Sequence, residues 1–261
     1  MKHFSLTLLF IFSFLSFSGF VSAQEPDPIP IPSIPEEERD SLFIDEIVIE
    51  DQMLEEEEES FNFCGQRINL NTHERRKKLR TELAVISRSS STLLQRSNYY
   101  FPIIEPILRQ YNIPDDFKYL MVIESAMNPN ARSSAGAAGI WQFMPGTAND
   151  YGLTVNGQID ERFHLGKATN AACRYLSDAY KRFGDWVAVA QSYNIGQARI
   201  SNELVSQKVD EALDLELVEE TNRYIYRIFA AKMIFTKPES SVVNRNMLQY
   251  KKIRQPAIQR Y

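Results

Sequence analysis

Apolar residues recur along most of this chain at helical spacing, and strand-like alternation is nearly absent. In Phe101–Tyr111, Ile104, Ile107 and Leu108 share a face, although Pro102 and Pro106 blur the start of that helix. Upstream, Phe61–Leu70 reads as a short extended lead-in. Asn71-Thr72 then caps a helix that runs through the basic stretch Glu74–Arg80 to Ile86. Ser87–Ser91 interrupts the pattern, and a further helix is expected near Thr92–Tyr99. Pro114 and Asp115-Asp116 open the next one, since proline suits a first turn and carboxylates suit its positive end. The body, Tyr119, Leu120, Val122 and Ile123, is apolar. Asn128-Pro129 closes it, because a residue before proline is driven out of the helical region. A short helix carrying Trp141, Gln142 and Met144 should follow and end before Gly152. After a turn at Asn156-Gly157, helices are expected over Leu165–Phe183, Trp186–Tyr193 (capped by Asp185), Gln197–Leu204 and Glu219–Thr236. The class that follows is all-α, or α-rich.

The ends of the chain differ in character from this middle. Lys2 and His3, the apolar run Leu8–Val21 and the small residues Val21-Ser22-Ala23 make residues 1–23 a signal peptide cleaved after Ala23. Residues 24–60 are proline-rich and then strongly acidic, too poor in apolar groups to bury a core, and read as a disordered tether. Residues 61–111 form an N-terminal helical extension that packs on a domain at residues 112–238, and residues 239–261 are a polar, basic tail. The net charge of −5 conceals this division: residues 1–60 hold 15 acidic and 2 basic side chains, residues 61–261 hold 19 and 27. A basic folded part suits an anionic polymer or surface. Export and the lack of a nucleic-acid motif exclude nucleic acid as partner. Two cysteines, Cys64 and Cys173, could pair in an exported protein, but buried free thiols are the favoured reading, and the sequence leaves the choice open. His73 and His164 lie in no metal-ligand spacing, so neither a metal nor a cofactor is expected.

Candidate chemistry concentrates in residues 112–153. Glu124 falls in the last turn of its short helix, where the negative end of the helix dipole opposes ionisation and apolar neighbours desolvate the carboxylate. Both effects keep a carboxylic acid protonated near neutral pH, as a general acid requires. The following run Ser133-Ser134-Ala135-Gly136-Ala137-Ala138-Gly139 has no bulk, so its backbone can approach itself or a ligand closely. Trp141, Gln142, Phe143 and Met144 then supply the material of a wall.

In order and spacing, Glu124-Ser125, Asn128-Pro129 and Ala138-Gly139-Ile140-Trp141-Gln142-Phe143-Met144-Pro145 with Thr147-Ala148 resemble the soluble lytic transglycosylase (SLT) domain. The likeness is strongest to the membrane-bound lytic murein transglycosylase D type. Ala190-Gln191-Ser192-Tyr193-Asn194-Ile195-Gly196 resembles a second signature of that family, and Glu220-Thr221-Asn222-Arg223-Tyr224 a third. Ile195 departs from the family pattern, which has a small residue there, and Gln197-Ala198 replaces a Gly-rich continuation. The resemblance implies a lysozyme-like, goose-lysozyme-like helical domain with Glu124 as catalytic acid. It further implies substrate contacts from Ser133, Gln142, Met144, Tyr193, Asn194, Glu220 and Tyr224, with Gln142 donating to a sugar N-acetyl group and Met144 packing a sugar face.

By the same resemblance the substrate is the peptidoglycan glycan strand. The β-1,4 bond between N-acetylmuramic acid and N-acetylglucosamine is cut without water to leave a 1,6-anhydro ring. One convincing acid without a second carboxylate fits such a substrate-assisted route. A monomer in the periplasm or cell envelope is expected, with the acidic tether available for wall or outer-membrane protein contacts. Two alternatives stay open. A goose-type lysozyme relative would use water as acceptor, with Asp150, Asp160 or Glu220 as a second carboxylate; a noncatalytic wall-binding protein would keep only the groove.

Overall fold

The computed structural model describes residues 61–236. The signal peptide, the tether and the tail read from the sequence lie outside the described residues. Phe61–Leu70 is indeed extended, with a two-residue antiparallel ladder, β1 (Asn62–Phe63) against β2 (Gln66–Arg67). Its turn residues Cys64 and Gly65 both have positive φ, 54° and 82°, as a tight hairpin turn with the native strand twist demands. Both cysteines are free thiols; Cys173 is fully buried and Cys64 half-buried.

Helix α1 is His73–Ser87, and the side chain of Thr72 caps it by accepting from Arg75 N at 3.2 Å. Helix α2 is one continuous element, Ser90–Gln110, where the sequence suggested two. Pro102 and Pro106 lie inside it, four residues apart and exposed, while Ile104 and Leu108 are buried on the opposite side. On the wet face, water can satisfy the carbonyls that two missing N–H groups leave free, so the helix continues past both prolines.

A 3-10 turn, Asp115–Lys118, precedes α3, Tyr119–Ser125. Asp116 does more than favour a helix start: its Oδ2 accepts from Cys64 N at 2.6 Å and from Lys232 Nζ at 2.8 Å. It thereby ties the hairpin and the last helix to the base of α3. Helix α3 ends earlier than Asn128-Pro129 implies. Ala126 and Met127 both turn left-handed, at φ 49° and 57°, and return their N–H groups to Val122 O and Met121 O. The expected helix over Trp141–Met144 is corrected too. Those residues form a turn, and α4 is only Pro145–Asp150, with proline at its first position and Met144 at its cap.

Helix α5 (Leu165–Phe183) ends at left-handed Gly184, and α6 is Trp186–Ile195, where Asp185 Oδ1 accepts from Ala188 N at 2.7 Å. Helix α7 is Gln197–Gln207, and α8 is Glu219–Thr236. The α-rich expectation holds. Among the described residues no helix is long and apolar enough to cross a membrane.

Helix α8 is the spine of this arrangement, packing against α1, α3 and α6, while α2 and α6 rest on α5. Phe229 of α8 gathers Phe61 (ring centroids 5.1 Å) and Phe63 (5.3 Å), and Phe63 in turn meets Phe117 (5.8 Å). Edge-on aromatic contacts of this kind add to the gain from burial alone. The hairpin, the base of α3 and the middle of α8 thus share one core, which fixes where the end of α3 points.

Candidate active site

Between the end of α3, the 131–144 loop, the C-terminal end of α6 and the start of α8 lies a cleft of about 680 Å³. Its size is in the range of small-ligand sites. The loop is held in shape by a residue the sequence did not single out. Arg162, 5% exposed, donates from Nη1 to Gly136 O (2.7 Å) and Phe143 O (2.9 Å), while Nε and Nη2 grip Asp160 (2.8 and 2.7 Å). Gly139, at φ 79°, passes so close to this segment that a Cβ there would sit 1.9 Å from Arg162 O. The smallness of Gly139 therefore serves backbone-on-backbone packing. A lone arginine in a loop gives no sequence signal; only its burial reveals the role.

Glu124 lies in the last turn of α3, half-buried, and lines this cleft. Burial pushes its carboxyl up to about 7 from an ordinary 4.5. The Tyr224 phenol and the Arg227 guanidinium pull the other way, and the charge of Glu220 adds to the rise. Tyr224 donates its hydroxyl to Glu124 Oε1 at 2.5 Å. The phenol itself is buried, and desolvation first and the neighbouring Glu124 second hold its own proton firmly in place. Tyr224 stands behind the acid and is not part of the cleft wall.

Tyr193 lines the cleft and is close enough to Glu124 for that carboxylate to reinforce the desolvation that raises its phenol far above 10. Its hydroxyl donates to Trp141 O at 2.9 Å, and its ring meets Tyr175 edge-on at 5.2 Å. Trp141 is fully buried, and its indole N–H donates to Thr169 Oγ1 at 2.9 Å. It is a core residue that anchors the turn from below.

Gln142 sits at φ 50°, a conformation few L residues adopt. Its amide nitrogen donates to Gly139 O at 2.7 Å and to Ala131 O at 3.3 Å. Both partners are carbonyls, so the orientation of the amide is unambiguous. The atom left for a ligand is Oε1, an acceptor. This revises the expected role of Gln142 as a donor.

Met144, Asn194 and Glu220 also line the cleft, and Asn194 Oδ1 accepts from Thr221 Oγ1 at 2.9 Å. Ser133 does not line it: Ala137 N donates to its Oγ at 3.0 Å, a bond within the loop. Of the three carboxylates considered as partners for Glu124, Asp150 and Glu220 line the cleft, whereas Asp160 is held by Arg162. Among the described residues no group of three His, Cys, Asp or Glu side chains could hold a metal ion.

Glu82 and Arg227 lie in none of the signature stretches. Glu82 of α1 is fully buried; it accepts from Arg223 Nε at 2.5 Å and Arg227 Nε at 3.1 Å, both on α8. Glu220, Arg223, Tyr224 and Arg227 fall three and four residues apart and so share one face of α8.

Parts of this chain are similar to known proteins. The profile of the transglycosylase SLT domain matches residues 101–214. The membrane-bound lytic murein transglycosylase D of Escherichia coli K12 is 32% identical over 140 residues, which is 52% of this chain and 31% of that protein. A peptidoglycan transglycosylase of Escherichia phage T7 is 38% identical over 81 residues, or 30% of this chain and 6% of that protein. Among solved structures, the 70 kDa soluble lytic transglycosylase of Escherichia coli aligns at TM-score 0.46 and 18% identity, over 63% of this chain and 31% of that one. The chain spans about a third of the length of the curated relatives it matches first. Residues 101–214 of this chain match the transglycosylase SLT domain family.

Proposed function

We propose that this protein is a lytic transglycosylase of the cell envelope that cleaves the β-1,4 bond between N-acetylmuramic acid and N-acetylglucosamine in peptidoglycan. One observation carries the reading: a cleft-lining carboxyl, Glu124, that keeps its proton to about pH 7 because burial outweighs the phenol and guanidinium beside it.

With Oε1 occupied by the Tyr224 hydroxyl, the transferable proton belongs on Oε2. Glu124 passes it to the glycosidic oxygen as the bond from that oxygen to muramic C1 breaks. The acetamide carbonyl of the same sugar stabilises C1. Gln142 Oε1 serves as an acceptor for the acetamide N–H, which strengthens that carbonyl as a nucleophile. The ionised Glu124 then removes the proton of the muramic C6 hydroxyl, and O6 bonds to C1. One proton leaves the acid and one returns, and no water is consumed. Glu124 thus acts first as acid and then as base, which a value near neutrality suits in both directions.

The competing reading is hydrolysis of the same bond. It has one observation in its favour: two further carboxylates, Asp150 and Glu220, line the same cleft. Digestion of purified peptidoglycan in 18O-labelled water separates the two. We expect unlabelled fragments lighter by one water than reducing-end products; labelled reducing ends would overturn the anhydro reading. Glu124→Gln is expected to lower cleavage by about 1,000-fold, within the range of general acid catalysis, with binding of glycan strands retained. A variant that cleaves as before would remove Glu124 from the mechanism, and a native protein that binds without cutting would make it a wall-binding protein.

A further inference from the structure

We propose that Glu82, on a helix outside the matched segment, is a positioning residue for the candidate acid: it takes up the charge of Arg227, which shares a face of α8 with the Tyr224 that holds Glu124. The catalytic meaning rests on the function proposed above, but the electrostatic claim does not.

The argument begins with the stripe on α8. Around Tyr224, which holds Glu124, stand Glu220 four residues before and Arg227 three residues after. Their influences on Glu124 are opposite in sign, Glu220 raising its proton affinity and Arg227 lowering it. Left to itself, a guanidinium so placed would favour the carboxylate form and weaken the acid. Arg227 is not left to itself. Its Nε points to Glu82 Oε2 at 3.1 Å, and the other oxygen of the same carboxylate takes Arg223 Nε at 2.5 Å.

Glu82 is fully buried, and both arginine side chains are about a third exposed or less. Little solvent screens this cluster, so a change of one charge within it reaches Glu124 more strongly than it would at the surface. One acid against two bases leaves a single positive charge beside the site. The remaining groups facing Glu124 are Tyr193 and Tyr224, both held neutral, and Glu220. On the α1 side, Lys78 is occupied with Glu74 (2.8 Å), and Arg75 pairs with Asp214 and Glu211. None of these contacts substitutes for Glu82 at Arg227.

Cluster charge and geometry predict different outcomes, which allows a decisive test. If charge is what matters, Glu82→Gln (cluster +2) lowers the Glu124 value and Arg227→Met (cluster 0) raises it. The double variant, again at +1, returns toward the native value. If Glu82 merely holds α8 in place, each single change displaces Tyr224, its hydrogen bond to the carboxylate is lost, and both variants move the value upward.

The measurement is a carbon-13 NMR titration of the full chain labelled at glutamate carboxyl carbons, with Glu124→Gln assigning the resonance and thermal melts checking that each variant folds. We expect opposite shifts of roughly half a unit or more for the two single variants, the size of a unit-charge change in a weakly screened setting. Shifts of the same sign, or none, would overturn the proposal. Because the titration needs no turnover, absence of peptidoglycan cleavage would count against the proposed function alone. If cleavage is present, the alkaline limb of its pH profile must move with the NMR value.

Discussion

Glu124 and Glu82 are the same side chain in two neighbouring parts of one fold, and their surroundings make them opposites. Glu82 has no contact with solvent, and two guanidinium groups grip its carboxylate and so tie α1 to α8. Glu124 is less deeply placed and borders a cleft, but its direct partner is a neutral phenol, and desolvation keeps its proton on. Depth therefore does not decide which glutamate becomes an acid. What decides is whether a full positive charge touches the carboxylate or is kept one contact away.

The largest expected effect on stability comes from removing the anion of this pair. Glu82→Ala leaves two arginines facing each other without their shared partner, and breaking a buried ion pair from one side costs about 3–5 kcal/mol. Urea unfolding of the variant should show it; a loss under about 1 kcal/mol would mean that water already reaches the cluster, as it reaches surface pairs.

Next in size is the linkage between the Glu124 proton and folding. Its folded value, about 7, stands above its ordinary 4.5, so the folded protein holds this proton more tightly than the unfolded chain does. The resulting stabilisation is fully present below about pH 4.5 and is lost as the pH rises through about 7. Glu124→Gln cannot ionise, and it should gain on the native protein between those values. At 1.36 kcal/mol per unit the ceiling is about 3 kcal/mol, less whatever water in the cleft restores. Thermal melts of both proteins across this pH range provide the check; parallel curves would contradict a buried, proton-holding carboxyl.

The smallest effect concerns the phenol. Tyr224→Phe removes a hydrogen bond made to the ionised form of Glu124, so the value should rise by roughly one unit, from a charged hydrogen bond of about 1.5–3 kcal/mol partly replaced by water. The alkaline limb of the activity profile would follow it upward. A downward move would mean that Tyr224 serves the neutral acid instead of the anion.

Much of this is legible in the sequence. The spans of α5 and α8, the Thr72 and Asp185 caps and the Gly184 stop all rest on local rules, periodicity and capping, which the chain carries residue by residue. The three signature stretches likewise put Glu124, Gln142, Met144, Tyr193, Asn194 and Glu220 around one cleft. Where local rules compete, the sequence misled. Prolines on a wet helix face did not break α2, and Gln142 turned left-handed where a helix was expected.

The sequence by itself determined the helical class, most helix boundaries and the identity of the candidate acid, because each depends on neighbours a few residues away. Only the tertiary structure decided that Tyr224, a hundred residues downstream, would hold Glu124, that Gln142 would present an oxygen, and that Arg162 and Glu82 would brace the site. Charge–charge and hydrogen-bond energies depend on distance and on exclusion of water. Both are properties of packing, and no spacing along the chain encodes them.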